Sequence, residues 1–429
     1  LTPSARVASA IELHEAIDRD RRRPADAVAN EFFRTRRFIG STDRREVSTL
    51  VWDMLRCARR LDWWLERVEA PPHSGARLRV AAHMLLTGTR LEFVRPLYSG
   101  GRFAAGSLDP DEARALEAID GHTLDHPHMP DPVRLEIPDW ILPHLQARFG
   151  AALEPELVAL NEPAPLDLRV NILRGTREDA IFALAREDIE VTPTPLSPWG
   201  LRTPGRRMVT TGNAFKSGLV EIQDEGSQLI ALAVGAAPEM RVCDLCAGAG
   251  GKTLAIAMTM NNRGHLVACD VSATRLDAAV KRLRRAGVHN AERHLLVAGD
   301  KWAKRRAGAF DRVLVDAPCT GTGTWRRNPD ARRTLTERDL DELVVRQAAI
   351  LDTAARLVKP GGRLVYATCS VLTEENEQQI EAFRTRHPAF TLVAPAELGL
   401  PGVNATLSLT PRLHNTDGFF AAILERAEP

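Results

Sequence analysis

The sequence predicts an α/β protein in three parts. These are a helical region over residues 1–140, a small α/β region over 141–225, and a mostly parallel sheet with helices on both faces over 226–429. Three observations carry this. Apolar residues recur at helical spacing near the N-terminus. From about residue 226, short apolar runs alternate with amphipathic stretches, the pattern of a parallel sheet. A glycine-rich turn joins the first of those runs to the stretch that follows it.

The 429 residues suffice for two or three domains, and 44% hydrophobic with 26% charged suits a globular chain. A net charge of +1 gives no general claim on nucleic acid, so only local clusters count. KWAKRR (301–306) and RRNPDARR (326–333) are basic, although most such runs are solvated faces. No run approaches the roughly 18 apolar residues that span a bilayer. The N-terminus lacks the basic-then-apolar order of a signal peptide. Six cysteines include one CxxC, Cys243 and Cys246, with no second pair to complete a zinc site. The expectation is a reduced, cytoplasmic protein without a metal, and nothing demands more than a monomer.

In the first part, Val7, Ile11, His14 and Ile17 keep helical spacing, as do Val47, Leu50, Val51, Met54 and Leu55. Ser41 is the expected N-cap of the second run. The Pro-rich stretch 122–140 reads as a linker or lid. In the second part, a helix over 140–149 ends at Gly150, LDLRVNIL (166–173) alternates as a strand, and a helix follows over 177–186. In the third part, strands are expected at 241–247, 265–270, 294–300, 311–318, 362–370, 390–395 and 418–426. Helices fall between them from Thr253, over 273–286, over 337–358 and over 374–384. Ligands in such sheets sit beyond the carboxyl ends of the strands, where the motifs fall.

The turn Cys246-Ala247-Gly248-Ala249-Gly250-Gly251-Lys252-Thr253 lets backbone approach a ligand closely. Three ligands fit in outline. A P-loop would need Gly where Cys246 stands, and a dinucleotide fingerprint would need Gly where Thr253 stands. S-adenosylmethionine needs the close approach but has no phosphate to cradle. Asp270, ending the next strand, can accept from both hydroxyls of a ribose, which suits a nucleoside ligand over a P-loop. Asp300, placed at the end of the third strand, could meet an adenine amino group.

Cys319 ends the fourth strand in DAPC, and Cys369 ends the fifth in TCS. Lone cysteines are usually buried filler, but two at neighbouring strand ends above a ligand loop suggest a catalytic pair. A helix start close after Cys369 would favour its thiolate. Methyl transfer to carbon 5 of cytosine has a use for such a thiol. Adding it to carbon 6 makes carbon 5 nucleophilic, and the thiol leaves once the carbon-5 proton is removed. A hydrogen bond at base N3 would help, and Asp316 is placed for it. Position alone does not rank the two cysteines.

DLCAGAGGKT, DAPCTGTGTWRRNPD and YATCSVLTEENEQQI resemble the signature stretches of the RNA 5-methylcytosine methyltransferases, the NOL1/NOP2/Sun family. The likeness runs from about residue 165 to the C-terminus through LRVNIL, EIQDEGSQL and DGFFAAILER. It implies a seven-stranded Rossmann-like methyltransferase domain after a small α/β RNA-binding subdomain, with S-adenosylmethionine as cofactor. It implies that Cys369 is the nucleophile and that Cys319 assists product release. Cofactor contacts would come from Cys246, Ala247, Gly248, Ala249, Gly250, Gly251, Lys252, Asp270, Arg275, Asp300 and Asp316. One departure stands out, since the family loop commonly reads A-P-G-G-K and this chain has Ala249 in place of the proline. RTRRFIGSTDRREVSTLVWDMLR (34–56) resembles the NusB-like domain of bacterial small-subunit rRNA enzymes, which implies RNA binding there and 16S rRNA ahead of transfer RNA as substrate. Arg326, Arg327, Arg332 and Arg333 are the expected RNA backbone contacts.

Three other functions compete. Cytosine methylation in DNA would make Cys319 the attacker and leave the TCS motif unexplained. A non-catalytic RNA-binding or ribosome-assembly factor would have no use for Asp316, Cys319 and Cys369. A dehydrogenase lacks its third glycine.

Overall fold

The computed structural model describes residues 1–205, 207–401 and 405–428. They form two compact units. One comprises Leu1–Ala147, Ala151–Glu162 and Trp325–Thr336, and the other Arg148–Gly150, Pro163–Thr324 and Glu337–Pro429. The split falls around residues 148–163, most of the expected small α/β region and of the expected third part share one unit, and Trp325–Thr336 of that third part belongs to the helical unit.

Helices Pro3–Arg19, Ala25–Thr35, Ser41–Arg56, Ala58–Arg67, Gly75–Leu86 and Pro110–Ile119 dominate the first unit. The periodic set Val7, Ile11, His14 and Ile17 is buried along one helix face. Ser41 is the first helical residue and not the cap; Gly40, in extended conformation, takes that place and accepts from the Arg44 amide at 2.9 Å through its carbonyl. The stretch 122–140 is no linker. The carboxylate of Glu136 caps helix Ala58–Arg67, accepting from the Arg59 and Arg60 amides at 2.9 and 3.0 Å. The Trp64 indole donates to the Leu124 carbonyl at 2.9 Å. A Pro-rich composition marks irregular backbone, and here that backbone is tied down by its neighbours.

In the second unit, β1 (Leu166–Val170), β2 (Thr192–Pro193), β3 (Gly200–Thr203) and β4 (Val220–Ile222) make a small antiparallel sheet in the order β2-β3-β1-β4. The larger sheet contains β5 (Arg241–Asp244), β6 (His265–Asp270), β7 (Ala291–Leu295), β8 (Phe310–Asp316), β9 (Val358–Thr368), β10 (Phe390–Val393), β11 (Leu407–Leu409) and β12 (Phe419–Arg426). Seven strands run in the order β10-β12-β9-β8-β5-β6-β7, and short β11 pairs with β12 as an eighth. Strands β7, β6, β5, β8 and β9 are parallel, and β12 returns antiparallel to β9. Chain order reverses at β5, so a crevice opens beyond its carboxyl end.

The central strands bury both faces, as parallel strands covered by helices must. Cys243, Val267, Val313, Leu364 and Tyr366 join Phe383 and Leu351 on one side. The alternate residues Val242, Leu266, Leu314 and Val365 join Ile230 and Ile256 on the other. The third strand lies at Ala291–Leu295, earlier than the expected 294–300, with Leu295 opposite Asp270. It is an edge strand whose sequence, AERHL, faces outward in part, so an apolar-run criterion slides past it. Among the described residues no helix is long and apolar enough to cross a membrane.

Candidate active site

Strand β5 delivers the chain into the glycine-rich loop, and helix Gly251–Thr259 leaves it. Gly250 caps that helix at φ 80°, and a Cβ there would stand 3.1 Å from the Ala279 Cβ. Glycine is required by both the left-handed backbone and the close helix behind it. The loop is fastened to β6: the Ala247 amide donates to the Cys269 carbonyl at 2.8 Å, and the Gly248 amide to Asp270 Oδ2 at 2.9 Å. Asp270 Oδ1 accepts from the Ser272 amide at 2.8 Å. Each oxygen of this buried carboxylate thus keeps acceptor capacity for a ligand.

A cavity of about 900 Å³ opens here, walled by the loop, Asp270 with Arg275, Asp316 and the two cysteines Cys319 and Cys369. Its size suits a nucleoside-sized ligand. Gly250, Gly251 and Lys252 are not on its wall, and neither is Asp300. Asp300 instead pairs with His294 at 2.7 Å and accepts from the Trp302 amide at 2.7 Å, capping a short helix. Because β7 ends at Leu295, Asp300 lies beyond the strand end that the sequence reading assigned to it.

Lys252 Nζ meets Asp316 Oδ2 at 2.6 Å. Burial pulls the ammonium down, but the charge and hydrogen bond of Asp316 outweigh it, and the lysine stays above its ordinary range. Below the loop, Asp244 is fully buried and accepts from Thr253 Oγ1 at 2.7 Å, while its Oδ1 has no hydrogen-bond partner. Burial pushes its carboxyl up to about 7; Thr253 opposes the rise and Asp316 adds to it.

The Cys319 and Cys369 sulfurs are 3.4 Å apart. The hydrogen bond to Cys369, then burial, then the charges of Cys369 and Glu375 hold the Cys319 thiol well above the ordinary range, so it keeps its proton at neutral pH. No helix begins directly after Cys369: helix Glu377–Arg386 starts only after a turn. The expected helix-terminus effect on that thiol has no nearby helix to supply it.

What fixes the two sulfurs is a buried polar network that sequence reading missed. Fully buried Glu375 accepts from the Thr320 amide at 2.8 Å, from Thr320 Oγ1 at 2.6 Å and from Gln347 Nε2 at 3.0 Å. The Thr322 hydroxyl accepts from the Val371 amide at 3.0 Å, and Asn376 Nδ2 donates to the Ser370 carbonyl at 2.9 Å. Glu375 and Asn376 belong to the TEENEQQI stretch, so the signal was present as a motif without a role.

The basic segment departs from expectation. Arg326 and Arg332 are 3% and 4% exposed. Arg332 donates to Asn161 Oδ1 at 2.9 Å and to the carbonyls of Glu136 and Leu160, and lies over the Trp325 ring. Arg333 pairs with Asp18 at 3.0 Å, and Arg327 is half-buried. Burial of Arg326 and Arg332 corrects the reading that placed them as phosphate contacts, since basic spacing cannot tell a solvated face from a buried anchor.

A parallel sheet whose ligand loop follows the switch-point strand, with a carboxylate at the next strand end, is that of a Rossmann-like methyltransferase. Residues 231–425 match the family described as 16S rRNA methyltransferase RsmB/F, and residues 137–210 match the ferredoxin-like domain of RsmF/B-like methyltransferases. Ribosomal RNA small subunit methyltransferase B of Pectobacterium carotovorum is 30% identical over 411 residues, covering 90% of this chain and 92% of that one. The Yersinia pseudotuberculosis protein of the same name is 30% identical over 408 residues, covering 90% of this chain and 91% of its own. The solved structure of PH0851 is similar with a TM-score of 0.81 at 28% identity, covering 99% of each chain. A methyltransferase homologue from Pyrococcus horikoshii gives 0.61 at 28% identity, covering 70% of this chain and 100% of that one. The chain belongs to the RsmB/F family of 16S rRNA methyltransferases and is an RNA methyltransferase.

Proposed function

We propose that this protein methylates carbon 5 of cytosine in small-subunit rRNA, in the cytoplasm, using S-adenosylmethionine. The observation that carries the reading is the pair of sulfurs 3.4 Å apart on the wall of the cavity that the glycine-rich loop also bounds. Transfer to an exocyclic amine would have no use for two thiols. The fit to a nucleoside cofactor rests on the open space at Gly248, where a Cβ would meet nothing within 4 Å, and the spare acceptor capacity of Asp270. Cys246 to Ala249, Asp270 and Arg275 would hold it, and when bound it supplies an electrophilic methyl group.

Cys369, its thiol proton released to solvent, adds through sulfur to carbon 6 of a cytosine withdrawn from any stack; the C5=C6 electron pair moves toward carbon 5 and the ring, and carbon 5 thereby becomes able to accept the methyl group. Asp316, on the cavity wall with Lys252 paired to it, would accept a hydrogen bond from base N3 once that nitrogen carries a proton. Cys319, having given its own proton to solvent, takes the carbon-5 proton; the electrons of that C–H bond reform the ring double bond and expel the Cys369 sulfur, and the product leaves.

The test is transfer of labelled methyl from S-adenosylmethionine to 16S rRNA, with nucleosides separated after digestion. The expected product is 5-methylcytidine, and Cys369→Ala is expected to lower the rate by ~1000-fold or more. Label on another nucleoside, or normal turnover by the variant, overturns the reading.

A further inference from the structure

The motifs LRVNIL and EIQDEGSQL lie outside the cavity wall, yet they converge on the loop that bounds it. Arg169 of β1 is 1% exposed and donates from Nη1 to the Gly251 carbonyl at 2.8 Å, and to Gln223 Oε1. Arg282, on helix Ala273–Ala286, donates from Nη1 to the Ala249 carbonyl at 2.9 Å. The two guanidiniums therefore grip alternate carbonyls on either side of Gly250. Glu221 of β4 links Arg282 to the small sheet: it lies 3.6 Å from Arg282 Nη2 and 2.5 Å from Arg285 Nη2 of the same helix. The same helix is held again where Asn171 Nδ2 donates to the Ala286 carbonyl at 2.8 Å. Contact is tight at Gly218, where a Cβ would fall 2.0 Å from the Arg285 carbonyl.

A carbonyl and the amide that follows it share one rigid plane, so fixing the carbonyls of Ala249 and Gly251 fixes the amides of Gly250 and Lys252. Ala249 stands where the resembling sequences commonly carry a proline, so no fixed φ stiffens the loop at that position. Guanidinium bonds from outside can supply the constraint that a fixed φ would otherwise give.

We propose that Arg169 and Arg282 are positioning residues for the cofactor loop, and that through Glu221 the small β1–β4 sheet sets the shape in which that loop receives its ligand. Neither arginine lines the cavity, so neither needs to touch the cofactor. The inference rests on the reading of this loop as the S-adenosylmethionine site.

The experiment uses the full chain and S-adenosylhomocysteine as calorimetric probe, followed by methyl-transfer kinetics. The Arg282 side chain is 26% exposed, so Arg282→Gln is the main variant. Arg169→Gln, which leaves a cavity and an orphaned carbonyl, is secondary. Arg282→Gln is expected to weaken probe binding by about tenfold and raise KM for the cofactor to match, with kcat within about threefold and the thermal midpoint of ligand-free protein unchanged. Arg282→Lys, which keeps a charged donor, is expected to bind within about threefold of the starting protein. Unchanged probe affinity in Arg282→Gln overturns the positioning role and leaves the cofactor reading standing. A parallel fall in thermal midpoint and kcat also overturns it, since that marks a merely structural contact. Absence of probe binding by the unaltered protein overturns the cofactor reading and this inference with it.

Discussion

At 3.4 Å the thiol of Cys319 has Cys369 as its partner, and that contact is the first cause holding its proton. In the proposed adduct Cys369 would be a thioether and its hydrogen bond to Cys319 would be lost, so the Cys319 thiol would give its proton to solvent more easily. The pair would thus order itself: Cys319 is kept a thiol while Cys369 attacks, and released as a base afterwards. Cys319→Ala should therefore form the adduct and fail to discharge it, slowing turnover by ~100-fold or more while a protein–RNA band persists on denaturing gels. Turnover at the normal rate with no such band would sink the ordering. A second residue-scale outcome concerns Asp244. Folded, it holds its proton up to about pH 7; unfolded, it loses it near 3.8. The folded state binds the extra proton across that window, so stability falls as pH rises through it, by at most roughly 4 kcal/mol. Asp244→Asn should flatten the dependence of the urea midpoint between pH 4 and 7, and an identical slope in both proteins would contradict the cause given. Of the six cysteines, Cys57, Cys243 and Cys269 are buried, while Cys246, Cys319 and Cys369 line the cavity. Strand-end position picked out from the sequence the pair proposed to be catalytic. Their spacing to each other was not legible, because it depends on register between β8 and β9.

Between elements, the loops after β8 and β9 are clamped by Glu375, which serves Thr320 and Gln347 from one buried carboxylate. Glu375→Ala strands these donors in the interior, at about 1–3 kcal/mol each. The sulfurs should then lose their fixed separation, and kcat should fall by ~10- to 100-fold. Glu375→Gln, which still offers one acceptor oxygen, should fall between. Equal kcat in all three proteins would show that the clamp does not govern the cysteines. The central strands were legible because burial on both faces leaves unbroken apolar runs such as DRVLV and GRLVYAT. Edge strand β7 was not, because its outward residues are polar. The cap at Gly40 was missed for a related reason: a residue with no side chain gives no capping signal, so the neighbouring Ser41 drew the assignment.

For the whole molecule, one point of organisation goes beyond the three-part reading, which placed residues 226–429 together as the catalytic domain. Trp325–Thr336 instead belongs to the helical unit, although the chain on both sides of it belongs to the other. Within that unit the Arg326 carbonyl accepts from Arg56 Nη2 at 3.0 Å, Asp330 Oδ2 from the Ala25 amide at 3.0 Å, and the Leu335 carbonyl from the Trp140 indole at 3.2 Å. Composition cannot reveal this, since a basic loop and a basic anchor are spelled alike. A chain cut to residues 163–429 removes every one of those partners and leaves Arg332 without Asn161, Leu160 and Glu136. The segment should then behave as an exposed loop, the preferred site of nicking. Trypsin is expected to cleave the shortened chain after Arg326, Arg327, Arg332 or Arg333 within minutes, under conditions where the full chain resists at those bonds. Mass spectrometry of the fragments locates the cut. Equal resistance in the two proteins would mean that the segment is held by the α/β unit alone, and that the helical unit does not anchor it.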